Sequence, residues 1–133
     1  MRLTSTAQKV VRLLYVDDEP DILNVVQKGL QRHGFSVDIV SNPEEILAMK
    51  DLSEYDLIVL DLRMPNIDGF MLYSMIKDRI SSSKTKMCFF TAFTSYLDTY
   101  NQMFPTWSGS CFLTKPMSVR QLADNLHKLL SIN

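Results

Sequence analysis

Apolar residues run along this chain in two alternating styles. Short continuous runs occur at Val11-Arg12-Leu13-Leu14-Tyr15-Val16, Phe35 to Val40, Asp56-Leu57-Ile58-Val59-Leu60, Met87-Cys88-Phe89-Phe90 and Cys111-Phe112-Leu113-Thr114. Their length and β-branched or aromatic content read as strands. Between them apolar residues recur every three or four positions, as on one face of a helix. A first helix opens near Pro20 with Ile22, Val25, Val26 and Leu30 on its apolar face, and Gly34 stands where a left-handed C-terminal residue is favoured. Asn42-Pro43-Glu44-Glu45 reads as a capped helix start, with Asn42 as cap, Pro43 at the first position and Glu45 reaching back. Asp68-Gly69 starts a helix with Leu72, Met75, Ile76 and Ile80 facing inward, and a fourth helix presents Leu97, Tyr100, Met103 and Phe104. Ser118 and Gln121 form a capping-box pair ahead of Val119, Leu122, Leu126, Leu129 and Leu130. Five strand-helix alternations predict an α/β fold, a parallel sheet with helices on both faces.

The 133 residues suffice for one domain with a real core. There are no repeats, low-complexity tracts or linkers; residues 1–10 read as a loose lead-in and 11–133 as the domain. Hydrophobic residues make up 46% and charged ones 22%, with a net charge of −1. That balance offers no basic patch for a phosphate backbone, so no direct nucleic-acid partner is expected. No apolar run approaches the ~20 residues of a membrane span, and no signal-peptide pattern opens the chain. A cytoplasmic protein without membrane insertion is expected. Cys88 and Cys111 both fall inside strands and read as small buried thiols; a redox pair requires their strands to be neighbours. His33 and His127 fall on helices and read as surface residues rather than phosphodonors.

The ends of the strands carry the chemistry. Asp17 and Asp18 close the first, Asp61 the third, Thr91 the fourth and Lys115 the fifth. Carboxyl ends of parallel strands form the ligand crevice of open α/β sheets. Three carboxylates there repel one another unless a cation joins them, and hard oxygen ligands near water suit Mg²⁺. Such an ion leaves positions open for a phosphoryl oxygen. Lys115 and Thr91 supply an ammonium and a hydroxyl for the remaining oxygens, and Asp61 is the carboxylate free to act as nucleophile.

In Tyr15-Val16-Asp17-Asp18-Glu19-Pro20, Leu60-Asp61-Leu62-Arg63-Met64-Pro65-Asn66-Ile67-Asp68-Gly69, Phe90-Thr91-Ala92 and Leu113-Thr114-Lys115-Pro116 the chain resembles the receiver domains of two-component response regulators, from Val11 onward. The resemblance implies a three-layer, doubly wound (βα)5 fold of the flavodoxin-like, CheY-like type, with strand order 2-1-3-4-5. It implies that Asp61 accepts a phosphoryl group from a sensor histidine kinase or phosphotransfer protein. Asp18 and Asp61 then bind Mg²⁺ directly, Asp17 through water, and Arg63 through its backbone carbonyl. Thr91 and Lys115 hold the phosphoryl oxygens, Phe112 is the aromatic switch that turns inward with Thr91, and the Lys115-Pro116 bond is cis. The implied output is a protein-protein signal through the face of helix four, strand five and helix five toward an unknown downstream target. The implied protein is a signalling switch, not an enzyme beyond its own phosphoryl transfer and dephosphorylation.

Two features depart from the family pattern. The segment between Thr91 and Lys115 is slightly long, with Ser108-Gly109-Ser110 where Gly-Ala is common before strand five. Helix four lacks the charges that winged-helix regulators use for symmetric dimers, so a monomer or a weak phosphorylation-dependent dimer is expected. Arg63, two residues past Asp61, is placed to overhang the site. Two alternatives stand beside the single-domain switch: a receiver fragment of a longer regulator with a DNA-binding or enzymatic output, and an aspartyl-phosphate phosphohydrolase. The second lacks a general acid two residues after Asp61, and a flavin-binding role lacks a phosphate loop after strand one.

Overall fold

A computed structural model describes residues 10–80, 84–104 and 110–131. The elements follow in the order β1 (Val11–Val16), α1 (Pro20–Arg32), β2 (Phe35–Val40), α2 (Glu44–Ala48), β3 (Leu57–Leu60), α3 (Gly69–Ile80), β4 (Lys86–Thr91), α4 (Leu97–Met103), β5 (Ser110–Thr114) and α5 (Val119–Leu130), with 3-10 turns at Leu52–Glu54 and Thr94–Tyr96. All strand pairings are parallel, in the order β2-β1-β3-β4-β5. The expected fold and strand order are therefore observed. Most of the lead-in, and Trp107 with its loop, lie outside the described residues.

Helices cover both sheet faces, which is why the inner strands read as continuous apolar runs rather than alternating ones. Leu14, Val16, Ile58, Leu60 and Phe89 pack toward α2 and α3 with Ile46, Leu72 and Ile76. Leu13, Tyr15, Leu57, Val59 and Phe90 pack toward α1 and α5 with Leu23, Val26, Leu30, Leu122 and Leu126. Burying each such side chain contributes roughly 1.5–3 kcal/mol.

Caps fix where helices begin. Ser118 Oγ accepts from Gln121 N and Gln121 Oε1 accepts from Ser118 N, both at 3.1 Å, closing the expected box on α5. Asp68 Oδ1 accepts from Met71 N at 2.8 Å and caps α3. Gly34 has φ 93°, the left-handed conformation its position predicted. Asn42 Oδ1 accepts from Glu44 N at 3.0 Å, but α2 starts at Glu44, so Pro43 precedes the helix instead of opening it.

Three inward assignments are corrected. Val25 is 64% exposed, Met75 52% and Leu97 42%. In α1 the buried face is Leu23, Val26 and Leu30, and in α3 it is Phe70, Leu72, Ile76 and Ile80. Val25 and Met75 each precede a buried neighbour, and one residue turns a helix by about 100°. α4 is only seven residues long and has no buried residue; Tyr100 within it and Phe104 just after it carry the packing against Phe89.

Candidate functional site

Sheet register assembles the carboxyl-end rim. Val16 lies opposite Leu60 and Thr91 opposite Thr114, so the residues that follow these strands are neighbours as well. The ladder continues one step past the strands: Asp17 N donates to Val40 O at 3.2 Å, Asp61 N to Val16 O at 3.0 Å, and Lys115 N to Thr91 O at 2.8 Å. Backbone bonds thus hold the polar residues in place before any side chain meets another. The Lys115-Pro116 bond is cis, as the resemblance implied.

Asp17 is fully buried and well partnered. Its Oδ2 accepts from Lys115 Nζ at 2.8 Å and from the Tyr15 hydroxyl at 2.9 Å, and its Oδ1 accepts from Glu19 N at 3.1 Å. Lys115 Nζ also lies 3.6 Å from Asp61 Oδ2 and 5.2 Å above the Phe90 ring. Asp61 is 7% exposed, and its Oδ1 accepts from Arg63 N at 3.3 Å. Burial first, then Asp17 and Asp18, push the Asp61 carboxyl up to about 6, against the opposing pull of Lys115 and the Arg63 N–H. Tyr15 is pushed up too, by burial and then by Asp17.

An open cavity of about 470 Å³ sits over this rim, lined by Asp18, Glu19, Asp61, Arg63, Phe93 and Lys115 among others. The Arg63 guanidinium lies 4.3 Å from the Phe93 ring centroid, a cation-π contact at the cavity mouth. Thr91 is fully buried, and its Oγ1 accepts from Phe93 N at 3.2 Å. Gly69 packs against the Asp61–Leu62 backbone. A Cβ there would stand 2.5 Å from Asp61 O and 3.0 Å from Leu62 Cα, so only glycine allows α3 to start against the Asp61 backbone.

Carboxylate oxygens of Asp17, Asp18 and Glu19 come within 4.8 Å of one another. Since Asp17 already has its partners, Asp18, Glu19 and Asp61 are the carboxylates left facing the cavity. Several hard oxygen donors beside open solvent fit Mg²⁺ and leave room for its waters.

Asp17, Asp18, Asp61 and Lys115 therefore share one rim, and Thr91 joins it through the Lys115 backbone. Phe112 does not. It lies on the α4 side of β5, half-buried, with its ring 5.4 Å from Tyr100. Sequence reasoning missed Tyr15, Glu19 and Phe93. For Tyr15 the signal was strand periodicity, since residues two apart on a strand share a face and Tyr15 stands two before Asp17. His33 and His127 are exposed and contact each other, His127 Nε2 lying 3.1 Å from His33 O.

The sequence and the fold have counterparts among known proteins. The model for the response regulator receiver domain matches residues 13–127, and the chain belongs to that family, a signalling module of two-component systems. It is 32% identical over 120 residues to the transcriptional regulatory protein TrcR of Mycobacterium tuberculosis, covering 90% of this chain and 45% of that protein. It is 34% identical over 122 residues to the transcriptional regulatory protein SpaR of Bacillus subtilis, covering 89% and 51%. The chain thus spans about half the length of the curated relatives it matches. Among solved structures, the response regulator TrrA of Thermotoga maritima, in complex with Mg²⁺ and beryllium fluoride, superposes with a TM-score of 0.74 at 29% identity, over 90% of this chain and 98% of that one. No helix among the described residues is long and apolar enough to cross a membrane.

Proposed function

We propose that Asp61 is the phosphoacceptor of a two-component phosphorelay. An Asp61 carboxylate oxygen attacks the phosphorus of a phosphohistidine on a sensor kinase or phosphotransfer protein. The new O–P bond forms as the P–N bond breaks, and the imidazole leaves as a neutral ring after taking a proton. Asp18 and Asp61, with the Arg63 carbonyl, would hold Mg²⁺, with Asp17 acting through water, and the ion would supply charge neutralisation for the carboxylates and a Lewis-acid site for phosphoryl oxygen. Lys115 moves its ammonium from the carboxylates to a second phosphoryl oxygen, and the Thr91 hydroxyl donates to a third. Thr91 and Phe112 then shift the face of α4, β5 and α5 that signals to a downstream protein.

The single observation that carries this reading is the Lys115 ammonium shared between buried, multiply bonded Asp17 and cavity-facing Asp61. It leaves Asp61 the less tightly held carboxylate, beside an open volume. Mg²⁺ and beryllium fluoride on TrrA support the same chemistry. Intact mass after incubation with a small-molecule phosphodonor is the test. One phosphate adduct is expected, dependent on divalent metal and absent in Asp61→Asn; an equal adduct in that variant defeats the assignment. A second reading, a receiver joined to a DNA-binding output, is favoured by the half-length match to two transcriptional regulators and is tested by the length of the native reading frame.

A further inference from the structure

Cys88 and Cys111 stand directly opposite each other on adjacent parallel strands, β4 and β5. Both are free thiols, and Cys111 Sγ lies 2.8 Å from Cys88 Sγ. Neighbouring strands lie about 4.8 Å apart, inside the roughly 4.4–6.8 Å Cα separation that a disulfide spans, so bridging needs no strand to move far. Core packing accounts for Cys88, which is fully buried among Leu57, Val59 and Phe90. Cys111 packs against the same cluster, only partly buried on the edge strand β5, and its sulfur is set directly against that of Cys88.

We propose that Cys88 and Cys111 are a redox-active dithiol that closes to a disulfide across β4 and β5 when a hydroperoxide oxidises it. Accessibility sets the order of events. Cys111 reacts first: its thiolate attacks the terminal peroxide oxygen, the O–O bond breaks, and the alkoxide or hydroxide leaves with a proton, giving a sulfenic acid. Cys88 Sγ then attacks Cys111 Sγ; the S–S bond forms, and the sulfenic hydroxyl leaves as water with the Cys88 proton. Two thiols are oxidised and one peroxide is reduced to an alcohol, or water, plus one water. Burial raises the Cys88 thiol well above its ordinary range, which makes it a poor first nucleophile. As the resolving thiol it is already in contact with its target, which favours the second step strongly.

The bridge would lie three residues before Thr91 and one before Phe112, the two positions through which phosphorylation is proposed to move the output face. That consequence rests on the phosphorelay reading; the cross-link itself does not.

The reduced full chain, in thiol-free buffer, is titrated with hydrogen peroxide and followed by intact mass and non-reducing peptide mapping. The expected product is lighter by two hydrogen atoms, contains a linked Cys88–Cys111 peptide pair and reverts with dithiothreitol. Cys111→Ala, altered only at the half-buried partner, should lose the product entirely. Oxygen adducts on Cys111 without a link, disulfide-bonded dimers, or an unchanged mass would each overturn the dithiol. Coupling is read separately, as beryllium-fluoride-induced amide shifts in β4 and β5 of reduced and oxidised protein. A response at least halved by the bridge is expected, and an undiminished one removes the regulatory consequence. Phosphate uptake by the reduced protein reports on the phosphorelay reading alone.

Discussion

The Tyr15 hydroxyl donates to Asp17 Oδ2 at 2.9 Å, to the same oxygen that Lys115 Nζ holds at 2.8 Å. A strand-core tyrosine thereby fixes the orientation of the rim's most buried carboxylate. Asp17 thus stays with its own partners, and Lys115 remains placed between Asp17 and Asp61.

Tyr15→Phe keeps the ring and removes the donor. A hydrogen bond to a buried charge is worth about 1.5–3 kcal/mol, and Lys115 and Glu19 N still serve Asp17, so a loss of about 1–2 kcal/mol is expected. Urea unfolding checks this. An unchanged midpoint would mean that the contact contributes nothing to stability.

Asp61 should make the metal-free protein less stable as pH rises. Its folded carboxyl is raised from 3.8 to about 6, so between those values the folded state holds a proton that the unfolded state has lost. Stability therefore falls with rising pH across that window. The cost is absent below the unfolded value and complete above the folded one, on the order of 2–3 kcal/mol. Asp61→Asn cannot ionise and should melt higher than wild type at about pH 8 in chelator, with the gap closing at about pH 4. A gap of the same size at both ends of the range would show that the Asp61 charge is not its origin.

Gly69→Ala tests the packing of α3 against the Asp61 backbone. The added Cβ meets backbone at Asp61 O and Leu62 Cα, which cannot swing aside as a side chain can. Overpacking of this kind costs about 1–3 kcal/mol. Because the clash displaces Asp61 itself, phosphate uptake should slow more than stability alone explains, and unchanged uptake in a folded variant would contradict the close packing.

The rim was legible because each strand is a continuous apolar run ended by one polar residue, and that pattern marks a position along the chain. Sheet order then needs only the family resemblance. Helix faces were less legible wherever two apolar residues adjoin, as at Val25-Val26 and Met75-Ile76, since only packing selects which one points inward. Tyr15 and Glu19 were missed for a different reason. A tyrosine in a strand reads as core, and a glutamate before a helix reads as solvated; the two-residue spacing of Tyr15 and Asp17 and the adjacency of Glu19 were signals outweighed by those ordinary readings. The thiol pair needed the adjacency of β4 and β5, which residue spacing alone does not supply.

Arg63 and Phe93 close one side of the cavity mouth. An exposed cation-π contact is worth about 0.5–1 kcal/mol, which corresponds to a factor of roughly 2–5 in a rate if the contact must open for water to enter. Arg63→Ala should shorten the phosphate lifetime on Asp61 by that factor. The decay of phosphoprotein after donor removal measures it, and an equal or longer lifetime would exclude Arg63 as a barrier.

Lys115→Arg should separate phosphate uptake from switching. The ammonium bonds Asp17 and reaches Asp61 while lying over Phe90, a mostly buried position for a compact charge on a flexible stem. A guanidinium keeps the charge, so a small-molecule donor should still load Asp61 within about a factor of ten. Its planar fork, however, favours two parallel bonds to one carboxylate over a single bond that can be handed from Asp17 to a phosphoryl oxygen. The variant should therefore remain in its unphosphorylated arrangement after loading. Amide shifts of Leu113 and Thr114 during titration with Mg²⁺ and beryllium fluoride report the handover. Shifts as large as those of wild type would show that the charge alone, and not its shape, carries the signal to β5.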